Sequence, residues 1–384
     1  MEIRELQKHI RFLATLPESD APVVSCYLNL TSAKSEYLDV LDERVRVLRS
    51  SLNRKASQYL EDALRPIGAY LATGIQNGSQ GLALFARGAA QPFFLPLQFR
   101  VPVPNWIAAA STPNIYHLVE LKDTYHRYVV MLATRKNVRI LGVNLGSVTQ
   151  DLWTHCPELR QRVGRQWTRE HYQSHRRERT DRFVNEQIRI LERLMSAGGF
   201  GHLILAGNPR MTSEIRKSLP KHLAAKLIDV VPASEYERTS DVVAATLKSF
   251  IEQEERESAA VADKLVAELN THGLAVAGAS ASFEALRQGR VDILVLAKDY
   301  EPDKGWTCGA CGHAEVEPAA PIVCPRCGAR KARPLDVREE MVRMAEQGGA
   351  EVEVVNHSDA LIRLGGVGCL LRYAGPEKYC ARVA

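Results

Sequence analysis

Two apolar periods alternate along the chain. Residues 23–30, VVSCYLNL, form a short apolar run and read as a strand. Leu41, Val45, Leu48 and Leu52 then recur at i, i+4, i+7 and i+11, one face of a helix. A second helix is predicted through residues 58–72, QYLEDALRPIGAYLA. After the turn signal Asn77-Gly78-Ser79, residues 81–87, GLALFAR, read as another strand. Pro92, Pro96, Pro102, Pro104 and Pro113 fit residues 91–121 to loops and short edge strands.

Residues 126–145 predict two strands around a turn at Arg135-Lys136-Asn137. Val184, Ile188, Leu191 and Met195 mark a further helical stripe, which Gly198-Gly199 stops. HLILAGNP (202–209) reads as a strand of the buried type, with a helix starting after Thr212-Ser213. KLIDVVP (226–232) and DVVAATLKSFIEQEERES (241–258) repeat the strand–helix order, as an α/β unit does. Beyond residue 256 a helix runs to about Leu269. FEALRQGRVDILVLA (283–297) and VREEMVRMAEQGGAEVEVVN (337–356) then each read as helix, glycine turn and strand, and GGVGCLLRY (365–373) is a closing strand. The expected architecture is α/β (α+β overall) in three domains: 1–123, 124–256 and 257–384.

Composition narrows the class. Of the 384 residues, 45% are hydrophobic and 25% charged, which excludes disorder over most of the length. No apolar run approaches the ~20 residues that span a bilayer. The first twenty residues carry charges where a signal peptide needs an apolar centre, so a cytoplasmic location is expected. The net charge is +5, and residues 160–182 alone hold eight Arg against three acids. One segment is therefore electrostatically distinct.

The most specific motif is Cys308-x2-Cys311-x12-Cys324-x2-Cys327. Paired thiolates three residues apart, each followed by a glycine that lets the chain turn back, suit a tetrahedral Zn²⁺. Four thiolates close the coordination shell, which makes such a zinc structural. The competing readings are four free thiols or two disulfides, and His313 reads as a bystander. Cys26, Cys156, Cys369 and Cys380 are scattered and read as small buried hydrophobes.

In residues 160–182, Trp167, His171 and Tyr172 interleave with the arginines. Arginine grips phosphate bidentately and planar rings stack on bases, so the segment has the composition of an RNA contact. A solvated helical face is the competing reading. Neither a G-x-S-x-G elbow, a P-loop nor an H-E-x-x-H pair is present, and no G-x-G-x-x-G follows a strand.

With these residues in hand, the third unit resembles the C-terminal domain of the archaeal and eukaryotic peptide-chain release factor and Pelota family. FEALRQGRVDILVLA, the four-cysteine insert (305–333), GAEVEVVN (349–356) and GGVGCLLRY carry the resemblance. It implies an α/β sandwich related to kink-turn-binding proteins, with an inserted zinc ribbon, that docks on a translational GTPase. The middle unit is similar too. Its Gln173-Ser174 stand where that family has Gly-Gly-Gln-Ser before a long basic helix, but His171 and Tyr172 replace the glycines. Gly164-Arg165-Gln166 lies too far before the helix to take their place. In release factors the glycines let the Gln backbone amide reach the scissile ester of peptidyl-tRNA, and β-carbons obstruct that approach. The first unit shares only its strand–helices–strand order, and TSAKS (31–35) is a superficial echo of a stop-codon element.

Together these features resemble the divergent bacterial branch of the family, the Balon-like ribosome hibernation factors. The resemblance implies occupancy of the ribosomal A site, with the middle-domain loop near the peptidyl transferase centre of the 23S rRNA. Elongation factor Tu or another translational GTPase is the implied partner. The expected RNA contacts are Arg165, Trp167, Arg169, His171, Tyr172, Gln173, Ser174, His175, Arg176, Arg177 and Arg179, with no catalytic residue. The alternative class is a peptidyl-tRNA hydrolase for release or rescue, with Gln173 as backbone donor.

Overall fold

The computed structural model describes residues 1–19, 21–51, 54–88, 91–134, 137–155, 169–234, 236–301, 303–317 and 319–375. It leaves out the side chains of residues 34, 35, 51 and 169–177. The chain forms two compact units, residues 1–3 with 125–253 and residues 4–124 with 254–384.

Helix α1 (Ile3–Ala14) buries Leu6, Ile10 and Leu13 completely, at the i, i+4, i+7 spacing of one face. Strand β1 (Val23–Asn29) follows, then helices α2 (Lys34–Ser51) and α3 (Arg54–Thr73) and strands β2 (Gly81–Arg87), β3 (Phe93–Phe99) and β4 (Trp106–Ala110). They form an antiparallel sheet in the order β3-β2-β1-β4. Leu41 and Val45 of α2 and Leu60, Ala63 and Ile67 of α3 pack on its Val24, Cys26 and Leu84. The proline-rich segment supplies both edge strands, where a missing N–H is tolerated.

Helix α4 (Tyr116–Thr124) was not expected there. Tyr116, Leu118, Val119 and Leu121 are all buried, so the segment shows no amphipathic period. Its cap is also non-local. The buried Glu339 carboxylate, from the C-terminal third, accepts the N–H of Ile115 and, at 3.2 Å, that of Tyr116.

The unit of residues 1–3 and 125–253 holds a five-stranded sheet of order β7-β6-β5-β8-β9. Its strands are β5 (Tyr128–Ala133), β6 (Asn137–Asn144), β7 (Ser147–His155), β8 (His202–Gly207) and β9 (Leu227–Pro232). The first three form an antiparallel meander, and β8 runs parallel to both β5 and β9. Helices α5 (Arg169–Gly198), α6 (Pro209–Ser218) and α7 (Lys221–Ala224) complete it, with the part of α8 (Thr239–Asn270) up to residue 253. Alternate residues of β5 enter two cores. Val129 and Met131 meet Val184, Ile188, Leu191 and Met195 of α5, while Tyr128 and Val130 meet Val242, Val243 and Phe250 of α8. Tyr128 and Phe250 stack at 4.4 Å. The helical stripe expected from Val184 to Met195 is therefore the buried face of α5.

Three details differ from the sequence reading. Strand β7 extends the predicted pair to a meander. Helix α6 begins at Pro209, because the Asn208 side chain accepts the Arg210 N–H as N-cap, ahead of Thr212. The helix expected at 241–258 and the one expected to run to about Leu269 are a single element, α8.

The C-terminal third holds β10 (Ala275–Ala277), α9 (Ala279–Arg287), β11 (Val291–Ala297), β12 (Lys304–Cys308), β13 (Ala314–Glu315), β14 (Ala332–Asp336), α10 (Val337–Gly348), β15 (Glu351–Val355), α11 (Asp359–Arg363) and β16 (Val367–Leu371). One sheet has the order β10-β16-β11-β15, and the insert has its own, β13-β12-β14. The fold is mixed α/β throughout. The N- and C-terminal thirds keep separate sheets within one compact unit. Besides Glu339, Lys122 pairs with Glu346 at 2.7 Å, Asp123 accepts the Val354 N–H at 2.8 Å, and the Arg338 guanidinium lies 4.2 Å from the centre of the Tyr116 ring.

Burial pushes the Glu339 carboxyl up from 4.5 to about 8. The folded chain thus holds this proton more tightly than the unfolded one. The stability this provides is fully present below pH 4.5 and is lost as pH rises through about 8. One proton bounds the slope at about 1.4 kcal/mol per pH unit. Glu339→Gln keeps an acceptor for the two N–H groups and removes this dependence. Urea melts from pH 5 to 8 are expected to show a smaller loss of stability in the variant. An identical loss in both proteins would reject the assignment.

Candidate functional site

The inserted sheet brings four cysteines together. Cys308 ends β12, and the Gly312 N–H donates to the Cys308 carbonyl at 2.9 Å. The Gly328 N–H makes the same bond to Cys324, also at 2.9 Å. Gly312 and Gly328 have φ of 68° and 73°, left-handed values that let each loop fold back on its cysteine pair. The sulfurs of Cys308 and Cys327 lie 3.6 Å apart, those of Cys311 and Cys324 3.7 Å apart, and all four fall within 4.8 Å of one another. Sulfurs ~2.3 Å from a shared tetrahedral ion sit about 3.8 Å apart, so the cluster fits a metal ion such as zinc. A disulfide needs ~2.05 Å, which these pairs do not approach. Backbone N–H groups of Ala310 and Cys311 lower the Cys308 thiol, while hydrogen bonds to the neighbouring cysteines raise that of Cys327, so without an ion the four sulfurs share their protons unequally. His313 stands outside the set: its ring bonds Glu315 at 2.9 Å and packs against Trp306. Of the scattered cysteines, Cys26 and Cys369 are buried, and burial pushes both thiols up to about 12. Cys156 and Cys380 lie outside the described residues.

Helix α5 positions the basic segment. Its C-terminal half is anchored through Phe183, Val184, Ile188 and Leu191, each at most 5% exposed. Arg165 and Trp167 lie outside the described residues. Arg169 opens the helix, and His171, Tyr172, Gln173, Ser174, His175, Arg176 and Arg177 continue it, their side chains outside the description. Arg179 is exposed. The backbone at 171–174 is thus helical, where a loop was expected. Glycine costs a helix ~1 kcal/mol relative to alanine, and His and Tyr cost less, so the helix includes these positions and opens at Arg169. Gly164-Arg165-Gln166, expected to lie too far before the helix, therefore ends only three residues before it. Across residues 125–253, Lys and Arg outnumber Asp and Glu by 21 to 13. Of that excess of eight, five fall in residues 160–182, so the segment carries most of the unit's positive field.

Edge strand β7 adds residues that sequence reasoning missed. Trp153 is 59% exposed, with the Arg139 guanidinium 5.2 Å from its ring centre and the His155 ring 5.3 Å away. The available signal was the Thr- and Trp-containing run from Val148 to Thr154, which suits a strand.

Residues 113–251, which contain α5 and the whole five-stranded sheet, match the model of bacterial archaeo-eukaryotic release factor family 10. Peptide chain release factor subunit 1 of Thermococcus sibiricus is 23% identical over 430 residues, covering 97% of this chain and 98% of that protein. The same factor of Thermococcus onnurineus is 24% identical over 427 residues, with the same coverage. The chain is thus similar to archaeal release factors along nearly its whole length, and to the bacterial family over residues 113–251. Among solved structures, this release-factor relative is similar to Pelota of Archaeoglobus fulgidus, with 12% identity, coverage of 97% of this chain and 92% of that one, and a TM-score of 0.38. An archaeal translation termination factor gives 17% identity, coverage of 97% and 99%, and a TM-score of 0.28. No helix among the described residues is long and apolar enough to cross a membrane.

Elemental analysis of protein purified without chelator is expected to find about one metal ion per chain. Cys308→Ser should lose it and make residues 304–336 sensitive to protease, with the other sheets retained. Protein that is metal-free yet equally protease-resistant would remove the metal centre.

Proposed function

We propose that this release-factor relative binds the ribosomal A site and holds the ribosome idle without cleaving peptidyl-tRNA. The observation that carries the reading is the His171-Tyr172 pair in the position of the catalytic glycines, on a helical backbone at the head of a basic helix. Hydrolysis in this family uses a backbone amide brought close to an ester, and two β-carbons with a closed helical hydrogen-bond pattern oppose that approach. What remains is a cationic projection. Arg169, Arg176, Arg177 and Arg179 neutralise phosphates of the large-subunit RNA near the peptidyl transferase centre, together with Arg165 in the preceding segment. Trp167, His171 and Tyr172 stack, and Gln173, Ser174 and His175 donate hydrogen bonds. Occupancy there excludes aminoacyl-tRNA, which is the behaviour of a hibernation factor. The protein works in the cytoplasm, with a translational GTPase such as elongation factor Tu as partner. Zn²⁺ in the four-cysteine ribbon is structural, since four sulfurs leave it no open position.

Retention of Gln173-Ser174 favours a second reading, peptidyl-tRNA hydrolysis during rescue. The two separate in one experiment, release of labelled peptide from stalled ribosome complexes. No release above background is expected. Release that disappears with Gln173→Gly would establish the hydrolase instead.

Salt titration tests the RNA contact. Ribosome cosedimentation of the full chain should fall steeply with salt, and replacing Arg176, Arg177 and Arg179 with Ala should reduce the log–log slope by about 2–3. An unchanged slope would return α5 to a solvated face.

A further inference from the structure

Strand β7 leaves an indole in water at the edge of the five-stranded sheet. An aromatic side chain of this size carries up to ~250 Å² of surface whose burial is favourable, yet Trp153 keeps 59% exposure. Its neighbours are ordered around it. The register sets Arg139 opposite Trp153 and Asn137 opposite His155, so these side chains share one face with Asp151. Asp151 holds the Arg139 guanidinium at 2.6 Å, and that guanidinium lies over the indole. Asn137 Oδ1 lies 2.7 Å from His155 Nδ1, and the imidazole sits at 35° to the indole. Two rings and a guanidinium plane therefore stand in a row, each fixed by a cross-strand partner, so little rotamer freedom is left to lose on binding.

We infer that this face of β7 is a stacking platform for an unpaired RNA base, with Trp153 as the base-contacting ring. The inference rests on the proposed ribosome binding and names one contact within it. The occupant follows from chemistry. A unit with 21 basic against 13 acidic residues draws a phosphate backbone toward it, and β7 leads directly into the arginine-rich segment 160–182. An exposed indole beside a guanidinium suits the π-face of any base, without reading its sequence. A protein strand added to this edge would use the main chain of β7 and would have no need of the indole.

The test follows tryptophan emission of the full chain titrated with the ribo-octamer rA8, alongside Trp153→Phe, whose difference from the parent isolates this indole among four tryptophans. The expected result is quenching that the variant lacks. Trp153→Ala should weaken both rA8 and ribosome binding about five- to a hundredfold. Its salt slope should stay unchanged, because no phosphate contact is lost, and Trp153→Phe, which keeps a ring and most of the volume, should recover most of the affinity. Unchanged affinity in Trp153→Ala would overturn the platform. So would loss of ribosome binding while saturating rA8 leaves the indole emission unmoved, which would assign β7 to a protein partner. A chain that quenches with rA8 through Trp153 but ignores ribosomes would support the platform and remove the ribosome reading.

Discussion

Strands β5 and β8 have no exposed face. Every residue of β5 is buried, and alternate side chains point to opposite sides. Such strands require cover on both faces, and α5 and α8 supply it. The geometry of the rest of this unit follows. A helix bound to the sheet through Val184, Ile188, Leu191 and Met195 has a fixed direction, and its other end carries the arginines. Apolar burial of one half is what positions the charge on the other.

The proposed difference between blocking and cutting turns on very little material. Glycines at 171 and 172 would weaken the helix there. His171 and Tyr172 let the helix continue and add bulk in the same place. On the proposed reading, two side chains at the helix head decide between cutting and blocking.

Much of this was legible in the sequence, for identifiable reasons. The stripe from Val184 to Met195 and the strand runs at 202–207 and 291–297 state their periods locally, and the four cysteines carry their geometry in their spacing. Helix α4 was illegible because it is short, buried all round, and capped by Glu339 from far along the chain. Strand β7 was missed because polar and charged residues fill a sheet edge that apolar patterning cannot reveal. The helical start of α5 was hidden by expecting a loop up to residue 174, when the residues at 171–174 favour helix.

The remote cap of α4 has a consequence for synthesis. Its carboxylate lies 223 residues downstream of Tyr116. At translation rates of ~5–20 residues per second, that acceptor emerges roughly 10–45 s after the helix it completes. Until then Ile115 and Tyr116 offer their amide hydrogens to water, and the leading third waits half-finished outside the exit tunnel. The ribosome that makes the chain therefore still holds its C-terminal third while the N-terminal third lacks this cap.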